Sequence, residues 1–105
     1  MVTQDSAIAL KTAISTGPTV VAIEADSNVF QFYTGGIINS DTCGTNLNHS
    51  VIAIGYGVDP TKGEYYIVRN SWGTKWGLNG YVYIAGGKDG EGICGIQKDI
   101  SYPNF

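Results

Sequence analysis

Charge is scarce in this chain of 105 residues: six basic and nine acidic side chains leave a formal net charge of −3. No run of Lys or Arg follows a groove or a helix face, which argues against nucleic acid as a partner. The longest apolar stretch, around Val51 to Ile54, falls far short of the roughly 20 residues a helix needs to cross a bilayer, so no membrane span is expected. A positively charged, then apolar leader is also missing. Any targeting segment has been removed or lies outside the chain, and Met1 running straight into domain-like sequence reads as an expression start. Histidine occurs once, at His49, and cysteine twice, at Cys43 and Cys94. None of the fifteen glycines forms a turn leading into Lys-Ser or Lys-Thr, so a phosphate loop is not supported, and no cofactor or metal is expected.

What is present supports one packed domain over residues 1–105. Apolar residues make up 43% of the chain, enough for a core at this length and too many for disorder. Ala7, Ile8, Leu10 and Ile14 recur at helical intervals, predicting a helix over Gln4 to Ser15 capped by Thr3 or Asp5 and stopped by Gly17-Pro18. The β-branched run Thr19 to Ala25 predicts a strand. Phe30, Phe32 and Tyr33 form an aromatic cluster expected to pack under the sheet as an irregular segment, and Ile37 to Asn46 reads as a loop. Strands follow over Leu47 to Tyr56 and Glu64 to Asn70, joined as a hairpin by the turn signal Asp59-Pro60-Thr61-Lys62-Gly63. A tryptophan-bearing loop over Ser71 to Asn79, a strand over Gly80 to Ala85, a glycine-rich turn over Gly86 to Gly92 and a final strand over Ile96 to Tyr102 complete the reading. The class is mainly β within α+β: an antiparallel, barrel-like sheet with one N-terminal helix.

His49 begins one arm of that hairpin and Asn70, 21 residues later, ends the other. Antiparallel pairing can bring the two together. A nucleophilic thiol needs a base to take its proton, and the base needs a third group to fix its ring. A lone histidine is most often a satisfied interior residue, and an asparagine at a strand end is most often a turn residue. The two cysteines are either paired or free. If paired they close a loop of about 50 residues, a stabilisation of roughly 4 kcal/mol that implies an oxidising compartment.

Gly17-Pro18 through Ala25, Asn48-His49-Ser50 through Gly57, Asn70-Ser71-Trp72-Gly73 through Trp76-Gly77, Gly80-Tyr81, Cys94-Gly95-Ile96 and Tyr102-Pro103 resemble the papain and cathepsin L family of cysteine peptidases. The resemblance runs from about residue 3 to 105 in the family's order. It implies half of a two-lobed fold, the lobe that bears histidine and asparagine, with the nucleophilic cysteine on a missing N-terminal helical lobe. By that resemblance His49 is the general base and Asn70 its orienter. Trp72 shields their bond, Trp76 frames the leaving-group side, and Ser71 belongs to the same support. Cys43 and Cys94 match a structural disulfide, and neither has the context of the family's nucleophile.

Ala22 and Leu47 match positions lining the pocket for the second residue upstream of the scissile bond. Asp99 matches its far end, where an acid can pair with a basic side chain, although an apolar preference is commoner. Asn48 is counted with these substrate-facing residues. Asn48-His49-Ser50 also fits the glycosylation pattern, and Asn48 is expected to be unmodified with Ser50 facing the interior. The resemblance implies a thiol endopeptidase acting on peptide or protein substrates in a lysosomal, vacuolar or extracellular compartment, with this chain inactive alone. Two other functions remain open on sequence. One is a lobe of a non-peptidase relative, silicatein-like or a storage protein; the other is an isolated folding or interaction module that self-associates through its lobe-facing surface.

Overall fold

A computed structural model describes residues 6–25, 28–33, 35–39, 43–70, 72–73, 75–86, 90, 92–98 and 100–101. Thr3, Asp5, Ser71, Asp99, Tyr102 and Pro103, singled out above, lie outside the described residues, as do residues 87–89 and 91 of the expected glycine-rich turn.

The first helix, α1 (Ala7–Thr16), is capped by Ser6 and not by Thr3 or Asp5. Ser6 has extended backbone angles, and its hydroxyl accepts the Ala9 N–H at 3.2 Å, satisfying a donor the helix itself leaves open. Gly17 ends it, its N–H donating to the Ile14 carbonyl. Leu10, Ala13 and Ile14 are buried, whereas Ile8 is exposed. Ile8 was expected in the apolar stripe. It sits one residue from Ala7, about 100° around the axis, and therefore off the face that Ala7, Leu10 and Ile14 share.

A six-stranded sheet carries the rest, formed by β1 (Thr19–Ile23), β2 (Ile37–Ile38), β3 (His49–Asp59), β4 (Gly63–Arg69), β5 (Tyr81–Ala85) and β6 (Ile100–Ser101). Their spatial order is β2-β5-β4-β3-β1-β6. The mainly β, α+β class stands, with one departure from an all-antiparallel sheet: β2 runs parallel to β5, within a stretch expected to be loop. Tyr33 explains that edge. Its hydroxyl donates to the Gly36 carbonyl and accepts the Tyr83 N–H at 3.3 Å, holding the segment against β5. Burial raises the pKa of that phenol above its ordinary value.

Alternation with period two puts Thr19, Val21 and Ile23 of β1, Val51 and Ala53 of β3, Tyr66 and Val68 of β4, and Val82 and Ile84 of β5 on the buried face. Leu10, Ala13 and Ile14 of α1 belong to the same apolar cluster. Of the aromatic cluster, Phe30 in the one-turn helix α2 (Asn28–Gln31) is fully buried and Tyr33 nearly so. Phe32 instead points to solvent at 75% exposure, corrected by its place in the turn after α2.

Cys43 and Cys94 are disulfide-bonded, with Cα atoms 4.9 Å apart. A loop of this length corresponds to about 4 kcal/mol of stabilisation in the chain-entropy account. The final strand starts later than expected. Cys94 (φ 58°) and Gly95 (φ 73°) turn the chain within a single 3-10 turn over Ile93–Gly95, and among the described residues pairing with β1 begins at Ile100. Buried Gln97 ties this segment to the sheet, accepting from the Tyr66 hydroxyl at 2.7 Å and donating to the Gly90 carbonyl at 3.0 Å.

Candidate active site

The register of the β3–β4 hairpin dictates where its ends meet. Ile52 pairs with Arg69, so the next inward positions are Val51 on β3 and Asn70 just beyond β4, with His49 two residues further on the same face. A side chain on one strand reaches its diagonal neighbour on the next across such a pair. His49 Nε2 and Asn70 Oδ1 are 2.8 Å apart. A carboxamide oxygen only accepts, so Nε2 carries the proton and donates it, leaving Nδ1 as the basic nitrogen. Asn70 is buried at 6% exposure, and its backbone N–H donates to the Gly80 carbonyl at 3.0 Å, which fixes the acceptor's position. His49 is only half buried.

An aromatic cluster covers this end of the sheet. Trp72 lies against the imidazole with ring centroids 5.4 Å apart and planes tilted by 33°. Beneath it, Phe30 meets Trp72 edge-on at 5.3 Å and Trp76 at 4.9 Å, while Trp72 and Trp76 meet edge-on at 5.3 Å. Trp76 donates its indole N–H to the Gln31 carbonyl at 3.2 Å, so α2 supports the cluster from below. Trp72 remains 41% exposed: it walls one side of the imidazole and does not enclose it.

The other expected site residues divide. Ala22 sits on the outward face of β1, paired with Ser50 of β3. Ser50 therefore faces outward, not inward as expected, because the buried neighbours Val51 and Ala53 set the alternation. It lines an open cavity of about 560 Å³ with Ile52, Arg69, Asn79 and Tyr81. Leu47 is half buried in the segment leading into β3. Asn48 is anchored at both ends, its N–H donating to the Ile23 carbonyl at 3.0 Å and its side-chain oxygen accepting the Ala25 N–H at 2.9 Å. Among the described residues no group of three or more His, Cys, Asp or Glu side chains could hold a metal ion. Sequence reasoning missed two supports, Phe30 as the floor of the tryptophan pair and Glu24 beside the His49 loop. Phe30 was visible only as part of an aromatic run, and Glu24 carried no motif.

The sequence model described as Papain family cysteine protease matches residues 1–104. The chain belongs to this family. This papain-family chain is 46% identical over 101 residues to cysteine endopeptidase Rep1 of Oryza sativa subsp. japonica, a match covering 94% of the chain and 27% of that protein. It is 50% identical over 96 residues to the KDEL-tailed cysteine endopeptidase CEP2 of Arabidopsis thaliana, covering 90% and 26%. Among solved structures, the bromelain protease from Ananas comosus in complex with an inhibitor is similar with a TM-score of 0.89 at 45% identity, over 97% of this chain and 47% of that one. The chain thus spans about a quarter of the length of the curated relatives it matches.

Proposed function

We propose that this chain is the base-bearing lobe of a cysteine endopeptidase, with His49 as general base and Asn70 as its orienting acceptor. The observation that carries this reading is the 2.8 Å contact from His49 Nε2 to Asn70 Oδ1, which selects the tautomer with a basic Nδ1 on a half-exposed ring. Both cysteines of the sequence are in the disulfide, so the nucleophilic thiol comes from a separate N-terminal lobe and the chain alone is inactive. Papain-family membership and the relatives' greater length support that partner.

In the assembled enzyme His49 Nδ1 takes the thiol proton and the thiolate sulfur attacks the scissile carbonyl. The imidazolium then passes that proton to the departing amine as the C–N bond breaks, leaving an acyl-thioester. Water attacks the thioester while His49 takes one of its protons, and His49 returns that proton to the sulfur as the C–S bond breaks, releasing the carboxylic acid and the thiol. Asn70 keeps Nε2 protonated and the ring in one orientation throughout, and Trp72 dries one side of their hydrogen bond, which strengthens its orienting effect. Trp76 supports the same end, and family resemblance counts Ser71, outside the described residues, with it. Ala22, Leu47 and Asn48 face the substrate, and Asp99, outside the described residues, matches by resemblance the family position where an acid can pair with a basic side chain, the apolar preference being the commoner. The disulfide and the KDEL-tailed relative favour an oxidising compartment of the secretory route, lysosomal, vacuolar or extracellular.

The test is to mix the chain with a helical lobe bearing the cysteine and assay a fluorogenic dipeptide. Activity appears only with both parts, and His49→Ala lowers it by about 10²- to 10⁴-fold, the range for losing a general base. Equal activity of mutant and wild type rejects His49 as the base.

A further inference from the structure

The chain enters β3 at His49, whose last regular partner on β1 is Ile23. Residues 43–48, immediately before it, lie outside the ladder, so their course is set by individual contacts. Contacts from Asn46 and Gly44 converge on Glu24. Its backbone N–H donates to the Cys94 carbonyl at 2.9 Å, locking it to the disulfide, and its side-chain Oε1 accepts the Asn46 N–H at 2.7 Å. The carboxylate also fills the hollow over Gly44. A Cβ at that glycine would stand closer than 3.0 Å to all three atoms of the carboxyl group, and Gly44 has φ +81°, which disfavours any side chain there. Glycine at 44 and an acid at 24 therefore form a matched pair: one leaves the space and the other occupies it.

We propose that Glu24 is a positioning residue for His49, its carboxylate setting the path of residues 44–48 and thereby the angle at which the imidazole meets Asn70. The proposal rests on the reading of His49 as the base. Hydrogen bonding to an ionised acceptor is stronger than to a neutral one, and this bond acts three residues from the histidine, on the side where the ladder gives no support. Asn48 is tied to Ile23 and Ala25, the Thr45 carbonyl accepts from the Lys98 ammonium at 3.0 Å and Cys43 is held by the disulfide, so removing Glu24 frees the Asn46 N–H and the turn at Gly44 within a segment that stays attached at both ends.

The experiment is NMR on the isotope-labelled 105-residue chain as wild type, Glu24→Ala, Glu24→Gln and Gly44→Ala, with urea unfolding as the control for global structure. In Glu24→Ala the Asn46 amide is expected to exchange with solvent at least tenfold faster, and the His49 Nε2–H signal to exchange faster by a similar factor. Glu24→Gln, whose amide oxygen still accepts, restores both signals most of the way. Gly44→Ala reproduces the Glu24→Ala result, because its methyl takes the carboxylate's seat. An unchanged His49 Nε2–H signal in Glu24→Ala, with Asn46 protection lost, overturns the proposal, as does failure of Glu24→Gln to restore a chain that still unfolds cooperatively. If Glu24→Ala does not fold, the Gln and Gly44→Ala variants decide the matter by the same signals. None of these readouts needs a thiol or a substrate. An inactive reconstituted enzyme with the expected spectra would thus sink the catalytic reading alone.

Discussion

The β3–β4 hairpin is built in two different ways at its two ends. At the turn end, closure comes from consecutive residues: Asp59 Oδ1 accepts the N–H groups of Thr61 at 2.8 Å and Lys62 at 2.9 Å, and Gly63 takes φ +87° to begin the return strand. At the other end, His49 and Asn70 meet only because distant segments hold them. Ile23 and Ala25 anchor Asn48, Gly80 anchors Asn70, and Phe30 floors the tryptophans. One end shapes itself from local chemistry, while the other is an assembly of the whole fold. The catalytic role proposed for this pair needs its groups held to a fraction of an ångström, which rigid surroundings supply and a self-contained turn cannot. Damage elsewhere in the molecule should therefore reach the His49 end first.

The sharpest way to break this contrast is Phe30→Ala. The side chain is fully buried against both tryptophans, and truncations of this kind cost about 3–5 kcal/mol. Urea unfolding should show that loss together with red-shifted tryptophan emission in the folded state. A change under about 1 kcal/mol with unaltered emission would mean that α2 does not support the cluster. Next in size is Asn70→Ala, which removes the acceptor that fixes the ring. Ring nitrogen shifts should then report mixed tautomers of His49, and activity of the reconstituted enzyme should fall about tenfold, near 1.4 kcal/mol. Single-tautomer spectra in that variant would show that something other than Asn70 orients the imidazole.

The same contrast explains what could be read from the chain beforehand. Asp59-Pro60-Thr61-Lys62-Gly63 announces its turn in five residues, and the alternation of Val51 and Ala53 fixes which side of β3 is buried. Antiparallel pairing from that turn permits the meeting of His49 with Asn70, but counting alone sets Asn70 opposite outward-facing Ile52; an irregularity between Ala53 and Gly55, unmarked in the sequence, shifts it by one residue onto the face His49 shares. The disulfide came from resemblance, since nothing local distinguishes paired cysteines from free ones. The parallel edge at Ile37–Ile38 was invisible because two residues carry no period, and its cause, the Tyr33 hydroxyl, acts on a strand 50 residues away. Ser50 was misplaced for a different reason. Its orientation was inferred from what a glycan would disturb, whereas the pleat decides it. Glu24 carries no local mark and Phe30 shows only as part of an aromatic run, because what each supports exists only once residues 43–48 and the two tryptophans have come to rest against them.

The smallest expected effect lies at the self-contained end and tests whether it is independent of the other. Hydrogen bonds from the Lys62 and then the Thr61 backbone hold the Asp59 carboxyl below its ordinary value of 3.8. A carboxyl whose pKa is lowered by folding stabilises the fold above the ordinary value, and that contribution disappears as pH falls through the lowered one. Asp59→Asn keeps an acceptor for the same two N–H groups and removes only the charge. Melting temperature should therefore drop slightly at about pH 7 and converge with wild type as pH falls through the lowered value, because there wild type loses its charge as well. At neutral pH the variant's His49 Nε2–H signal should match wild type. A gap that persists in acid would mean that Asp59 acts through shape and not through its carboxylate. A displaced histidine signal would mean that strain at the turn travels the length of β3, and the two ends could no longer be treated as separate structures.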